Sequence, residues 1–414
     1  MGPIALFDKS FLQSLSVDES LWFDHYFYTN ICPLFYVETL ADLDKSSLPS
    51  GRTPEQEVAI IADKTPETSG GPCIHHRELC VADLMGNHIP MNGQIPVAGG
   101  RTVRSSNGQS GVVYDTSPEA QAFSRWQNGE FKDIERLFAR GWREMLSNLD
   151  LPATTSRINV LGIDPKTCKS LEQAHDIATA IVRSREKPFD QMALLFSFID
   201  IPHEYRSRIL HEWSVDQYRP LVEYAPYAAH VLSVELFFQI ALGAHLISDE
   251  RASSRVDIGY LFYLPFCMIF TSSDKLHWRC ASFFLRADQD FVWGMDLKAE
   301  LHRINEHFLA YPEVERERGA LHLARQPIGE DDSLIVSLWD RHAPNWRKNS
   351  KPTELKNTES EKALVAKLRE FTDAPEVHPS QLDFNVSGPE RLAINRKVRK
   401  KKGSWWQVPK DLEN

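Results

Sequence analysis

Eighteen residues, Asp257 to Asp274 (DIGYLFYLPFCMIFTSSD), constrain this chain more than any other stretch. The spacing predicts a short apolar helix over Ile258 to Leu264, headed by Asp257 and ended at Pro265, which cannot continue the helical hydrogen-bond ladder. Cys267, Met268, Ile269 and Phe270 follow as the continuous apolar run of a fully buried strand. That strand runs out at Thr271, Ser272 and Ser273, with Asp274 at its carboxyl end. In an open α/β sheet that end is where ligands bind. Asp257 and Asp274 are therefore expected to face one crevice.

The amino terminus supplies a matching half. Ile4 to Phe7 reads as a buried strand ending in Asp8, then Lys9, Ser10 and a helix starting at Phe11-Leu12. Ile31 to Val37 (ICPLFYV) reads as a second apolar strand leading into a helix that begins Glu38, Thr39, Leu40, Ala41. Strand, acid and serine before a helix, a Glu opening the helix after the second strand, and an Asp, apolar helix, apolar strand and T-S-S-D run together resemble the PIN-domain metal-dependent nuclease superfamily. Four acids match its pattern in order: Asp8, Glu38, Asp257 and Asp274. The resemblance covers roughly a quarter to a third of the chain. The departure is the gap between Glu38 and Asp257, far longer than in a compact PIN domain.

The resemblance implies an α/β fold, a PIN-like parallel sheet flanked by helices, with a large mostly helical insertion and a helical carboxyl-terminal extension. It implies that Asp8, Glu38, Asp257 and Asp274 are both catalytic and metal-binding, and that the cofactor is Mg²⁺ or Mn²⁺. Hard divalent ions suit carboxylate ligands. A pair of them about 3.5–4 Å apart stabilises the attacking and leaving oxygens of a phosphodiester and activates water. Acids packed this way repel one another and hold protons more tightly until metal binds. Asp8, on the strand expected to be central, is the candidate bridging ligand. Ser10, Thr271 and Ser273 are candidates to hydrogen-bond the carboxylates or a water, and Lys9, Arg255 and Lys275 to contact substrate phosphates. Each acid alone also reads as a local structural residue, and Asp274 after two serines is a good helix N-cap. Their joint, ordered occurrence carries the reading.

The expected activity is metal-dependent hydrolysis of RNA phosphodiester bonds, as an endoribonuclease, with DNA as the alternative polymer. Two readings from other classes stand beside it. One is a degenerate PIN-like module that binds RNA or a protein without cutting; the other is a helical interaction protein. A homodimer and a protein inhibitor or regulator are further partners consistent with the resemblance.

Along the chain, residues 1–45 read as the first half of the core and 231–300 as the second. Residues 46–230 read as a mostly helical insertion, and 301–414 as a helical extension with a basic tail. Ser16 to Tyr28 is an aromatic-rich core helix. From Ser46 to Ser117, clustered Gly, Pro, Ser and Thr signal loops. Ser117-Pro118 starts a helix expected to reach Asn148, and more helices are expected at 169–186, 189–199, 203–213, 215–228, 297–309 and 360–371. Val231 to Ile247 is too short, and too broken by Ser233, Glu235, Gln239 and His245, for a membrane span; no membrane partner is expected. Glu235 on so buried a helix needs a partner or a metal. Asp288, Asp290 and Asp296 are secondary candidates near the same sheet edge.

Charge narrows the nucleic-acid reading. With 47 basic and 57 acidic residues the net charge is −10, so cations must be clustered if a polyanion binds. One cluster is Arg391 to Lys402, with Trp405 and Trp406 after it, a pattern that binds phosphates and stacks bases or else forms a solvated tail. The six cysteines are scattered, as in a reduced chain, and no secretory signal is read; a cytoplasmic enzyme is expected. Cys73, His75, His76, Cys80 and His88 form a rival zinc candidate, though their spacing matches no standard finger. Walker A, G-x-G-x-x-G, G-x-S-x-G and H-E-x-x-H motifs are absent.

Overall fold

The computed structural model describes residues 2–45, 51–97, 99–106, 108, 110–147, 167–248, 253–324, 326–328, 333–348, 366, 369–378 and 392–411. Its first strand, β1 (Ile4–Phe7), is buried along its whole length. Asp8 ends it and caps helix α1 (Lys9–Ser14), accepting a hydrogen bond from the Phe11 amide. Ser16 and Glu19 form a capping box on α2 (Val17–Tyr26), which satisfies two amides at the helix start. Strand β2 (Tyr28–Ile31) and helix α3 (Pro33–Ala41) follow.

The second strand thus lies upstream of the expected Ile31–Val37. Pro33 explains the difference. It has no N–H to give a sheet but suits the first turn of a helix, so the apolar run after it coils. Glu38 is consequently inside α3 rather than at its start.

The segment from Ser46 to Ser117 holds more structure than its loop-like composition suggests. Thr53 and Gln56 box the start of α4 (Pro54–Lys64). Then come β3 (Gly70–Pro72), α5 (His76–Leu84), β4 (Arg101–Arg104) and β5 (Ser110–Tyr114). The long helix expected over 117–148 is two, α6 (Pro118–Gln127) and α7 (Asp133–Ser147). They part at Gly129, whose φ of +71° suits a residue without Cβ.

Helices at Leu171–Arg183, Pro188–Phe198 and His203–Val215 match the expected stretches closely, whereas the one expected at 215–228 is only a short turn of helix, Leu221–Tyr224, before the buried Pro226–Gly243 helix begins. Asp257 lies within the Ser253–Gly259 helix rather than ahead of one, and a 3₁₀ turn over Tyr260–Phe266 contains Pro265. Strand β6 (Ile269–Ser272) begins two residues later than the apolar run predicts. The Lys275–Cys280 helix, β7 (Asp290–Trp293) and the Gly294–Leu309 helix complete the core. The helix expected at 360–371 falls largely outside the described residues.

The main sheet has the order β3-β2-β1-β6-β7, and every pair in it is parallel. Its edge strand β3 comes from the segment between Glu38 and Asp257. The chain steps outward from β1 through β2 to β3, then returns to the other side of β1 with β6 and β7. The order therefore reverses between β1 and β6, and a crevice opens beyond the carboxyl ends of strands at such a reversal. Phe7 on β1 meets Phe23 of α2 and Phe35 of α3 edge-on, with centroids 5.6 and 5.0 Å apart, so helices close directly on the central strand.

The carboxyl-terminal residues pack back on this body. Strand β8 (Leu392–Ile394) pairs with β5, and β9 (Lys401–Lys402) forms a hairpin with β10 (Trp405–Trp406). A Cβ on Gly403, at the turn, would lie 2.0 Å from Asp18 Oδ1, the oxygen that accepts from the Ser404 amide at 2.8 Å. The basic run is not a solvated tail. Arg399 pairs with Asp63 and Glu67, and buried Lys402 donates to the carbonyls of Lys64 and Thr65. Arg391 lies outside the described residues.

Trp405 is fully buried. It meets Trp22 at 5.0 Å and donates to Asn305 Oδ1 at 2.8 Å. Trp405→Ala should lower unfolding stability in urea by about 3–5 kcal/mol, the range for truncating a buried large aromatic. A loss under about 1 kcal/mol would show that this hairpin is not bound as described. Among the described residues, no helix is long and apolar enough to cross a membrane.

Candidate acidic site at the sheet switch point

The reversal between β1 and β6 brings four acids into one electrostatic neighbourhood. Asp8 leaves the end of β1, and Asp274 leaves the end of β6 as N-cap of the Lys275–Cys280 helix, accepting from Leu276 at 2.6 Å. Glu38 comes from α3 and Asp257 from the Ser253–Gly259 helix. Burial pushes the Asp257 carboxyl up to about 7; His277 works against this, while Glu38, Asp274 and Asp8 add to it. Burial likewise raises Glu38, with Lys9 and Tyr260 opposing and Asp8 and Asp42 reinforcing.

A residue that the sequence pattern did not single out stands at the centre. His277 is completely buried, and its ring touches three groups. Nδ1 lies 2.7 Å from Ser272 Oγ and 3.3 Å from Asp8 Oδ2, and Nε2 lies 2.7 Å from the Asp257 carbonyl. The carbonyl can only accept, so Nε2 donates. Ser272 donates its one proton to Asp8 Oδ2 at 2.7 Å, so Nδ1 donates to Ser272. A ring donating from both nitrogens is an imidazolium. Burial opposes that charge, but the hydrogen bond and charge of Asp8, with Asp257, carry His277 up to about 9. Burial also acts to raise Asp8, yet His277, Phe11 and Ser10 together hold it below its ordinary value. The signal for His277 was its place one turn after a capping acid, which returns a side chain over the sheet end.

Asp8 is accordingly held by protein donors on both oxygens. Oδ2 accepts from Ser10 and Ser272, each at 2.7 Å, and Oδ1 from the Phe11 amide at 2.9 Å. Tyr260, also missed in the sequence, donates to Glu38 Oε2 at 2.6 Å. The Lys9 ammonium is buried, donating to the Glu38 carbonyl at 3.0 Å and pairing with Asp42 at 2.6 Å. It braces α3 rather than projecting toward a substrate. Arg255 is paired with buried Glu235 and lies over the rings of Phe238 and Phe262. The partner that Glu235 required is therefore Arg255.

A cleft of about 310 Å³ opens on this region, lined by Asp257, Ser273, Asp274, Lys275 and Arg279 among others. Asp8, only 3% exposed, and Glu38 lie behind it. Gly294 makes room for the cleft wall, because a Cβ there would lie 2.2 Å from Ser273 Oγ. Thr271 Oγ1 and Ser273 Oγ are buried without a protein hydrogen-bond partner.

Among the described residues, no three His, Cys, Asp or Glu side chains close round one point as a metal site would require. That holds for the four acids as placed and for Cys73, His75, His76, Cys80 and His88. Cys73 and Cys80 are buried thiols, and His76 contacts the Tyr263 hydroxyl at 3.2 Å. The secondary acids do not join the cluster either. Asp290 starts β7, at the amino end of the strand and so away from the carboxyl ends where the acids gather, and pairs with Arg341 and His342. Asp288 pairs with Arg286, and Asp296 is exposed in the first turn of its helix.

A larger cavity, about 1270 Å³, lies between β2, β3, α6 and the returning 394–399 segment. None of the four acids lines it, and several of its cations are already paired: Arg101 with Asp115, Arg125 with Glu135, Arg399 with Asp63 and Glu67. The smaller cleft is the chemical candidate. Comparisons with protein-family models, curated proteins and solved structures give no match to this chain.

Proposed function

We propose that this protein is a PIN-like metal-dependent nuclease that hydrolyses RNA phosphodiester bonds at the acidic cleft. The observation that carries the reading is the coupling of four acids from four elements at the sheet's topological reversal, two of them lining an open cleft. Burial raises the Asp257 carboxyl most and the neighbouring acids add to it, and a group so perturbed in a cleft is a candidate for chemistry. A divalent cation suits such a set. Asp257 has a proton to surrender, Asp274 beside it and Glu38 behind it add charge, and Ser273, which lines the cleft, can orient a coordinated water.

Asp257 and Asp274, the two acids that line the cleft, would hold Mg²⁺ or Mn²⁺. When bound, the ion lowers the pKa of an attacking water and stabilises charge on the phosphoryl oxygens. Lys275, exposed at the cleft mouth, would place the scissile phosphate. Asp8 and His277, with no path to the cleft, would fix Asp257 and the β6 end in position. Only charges inside the cleft would then touch the substrate.

One observation favours a second reading, a module that binds RNA or a protein partner without cutting: both Asp8 oxygens are already satisfied by protein donors. Incubation of labelled single-stranded RNA and DNA with Mn²⁺ or Mg²⁺ separates the two. Metal-dependent RNA cutting that Asp274→Asn reduces at least about 100-fold is expected from the loss of a ligand. Equal cutting by wild type and variant would remove the assignment, and binding without cutting would leave the second reading.

A further inference from the structure

The helix after Asp274 is only six residues long, yet its two faces differ sharply. His277 and Cys280 are buried and Leu276 is partly so, whereas Lys275, Trp278 and Arg279 face solvent. Those three stand at positions i, i+3 and i+4, one continuous face of a helix. Lys275 and Arg279 also line the cleft that holds Asp257 and Asp274. Trp278 is 64% exposed and makes no ring contact among the described residues. The exposed indole shares this face with two cations in a protein of net charge −10, so the face is complementary to a polyanion. Indole and guanidinium planes next to a cleft of about 310 Å³ are the chemistry that holds an unpaired base and its flanking phosphates.

We infer that Trp278 is a stacking residue. It seats one unpaired base of a nucleic-acid strand at the cleft mouth, while Lys275 and Arg279 hold the phosphates on either side. This rests on the nuclease reading for the identity of the strand. It assigns a contact that reading does not contain, and it makes the cleft select strands whose bases are free to turn outward. Stacking on an indole is tolerant of base identity, so the residue sets strandedness rather than sequence.

Binding measured without cutting separates this inference from the catalytic one. Fluorescence anisotropy of a labelled 12-nucleotide RNA in EDTA, and again in Ca²⁺, would compare wild type with Trp278→Ala and Trp278→Phe. Trp278→Ala should weaken binding by about 5- to 100-fold, the span for loss of one stacked base, and Trp278→Phe should recover most of it. An RNA of the same length with abasic positions throughout should bind wild type and Trp278→Ala alike, and a blunt duplex should bind wild type more weakly than the single strand. Unchanged binding by Trp278→Ala overturns the inference, as does an equal loss on the abasic strand or equal binding of the duplex. An indole-dependent preference for the single strand without Mn²⁺-dependent cutting would sustain the inference and refute the nuclease reading. Cutting whose KM ignores Trp278 would do the reverse.

Discussion

Asp257→Asn is expected to abolish metal-dependent cutting and, at pH 8, to make the metal-free protein more stable than wild type. Burial and the neighbouring acids raise the Asp257 carboxyl to about 7 from an ordinary 3.8. The folded state therefore prefers the protonated form. The associated stability is complete below pH 3.8, declines as pH rises toward 7, and is absent above it. Asn keeps the neutral shape at every pH, so the variant should gain about 1–2 kcal/mol at pH 8 and nothing near pH 4. The same carboxyl governs metal uptake, because a ligand must shed its proton before it binds. Wild-type affinity for Mn²⁺ should rise roughly tenfold per pH unit below about 7 and then level off. Thermal melts at both pH values, with Mn²⁺ titrations, would check this. A less stable variant at pH 8, or one that cuts normally, contradicts it.

Asp8→Asn should be the most damaging single change at the site. It removes the carboxylate that keeps a buried imidazolium charged, and breaking a buried pair from one side costs about 3–5 kcal/mol. The pH profile identifies the mechanism. The depressed Asp8 contributes stability above its ordinary 3.8, lost as pH falls through its lower folded value. His277, raised to about 9, contributes stability that is complete below 6.5 and is lost as pH rises through 9. The pair thus stabilises most between pH 4 and 6.5 and fades on the alkaline side. In Asp8→Asn the alkaline decline should flatten, and His277 should titrate below 6.5 by NMR because burial then dominates. An unchanged urea-unfolding profile between pH 6 and 10 would rule this out.

The strand-end positions of Asp8 and Asp274 were legible because each acid closes an apolar run, as strand ends in α/β proteins do. Their exact settings were less legible. Pro33 shifted the second strand upstream and left Glu38 inside a helix, and the apolar run at Cys267 began before its strand did. Strand β3 gave no signal, since Gly70-Gly71-Pro72 has neither β-branching nor alternation; it is a strand because β2 offers it an edge. His277 and Tyr260 were hidden for a related reason. Their importance lies in partners 269 and 222 positions away, which only the folded sheet brings close. The basic run near the end looked solvated because its acidic partners, Asp63 and Glu67, lie more than three hundred residues earlier.

Those same distances along the chain set an order of assembly. β1 is made before β6 and has to wait for it, because Ser272 reaches Asp8 across 264 residues. The hairpin that closes over Asp18 arrives 386 residues after it. Loops this long slow productive closure, and domains complete themselves only as their last elements leave the ribosome. The nascent chain therefore carries Asp8 and Glu38 for a long interval before Asp257 and Asp274 are made. The acidic cluster comes into being as a late event in the life of each molecule.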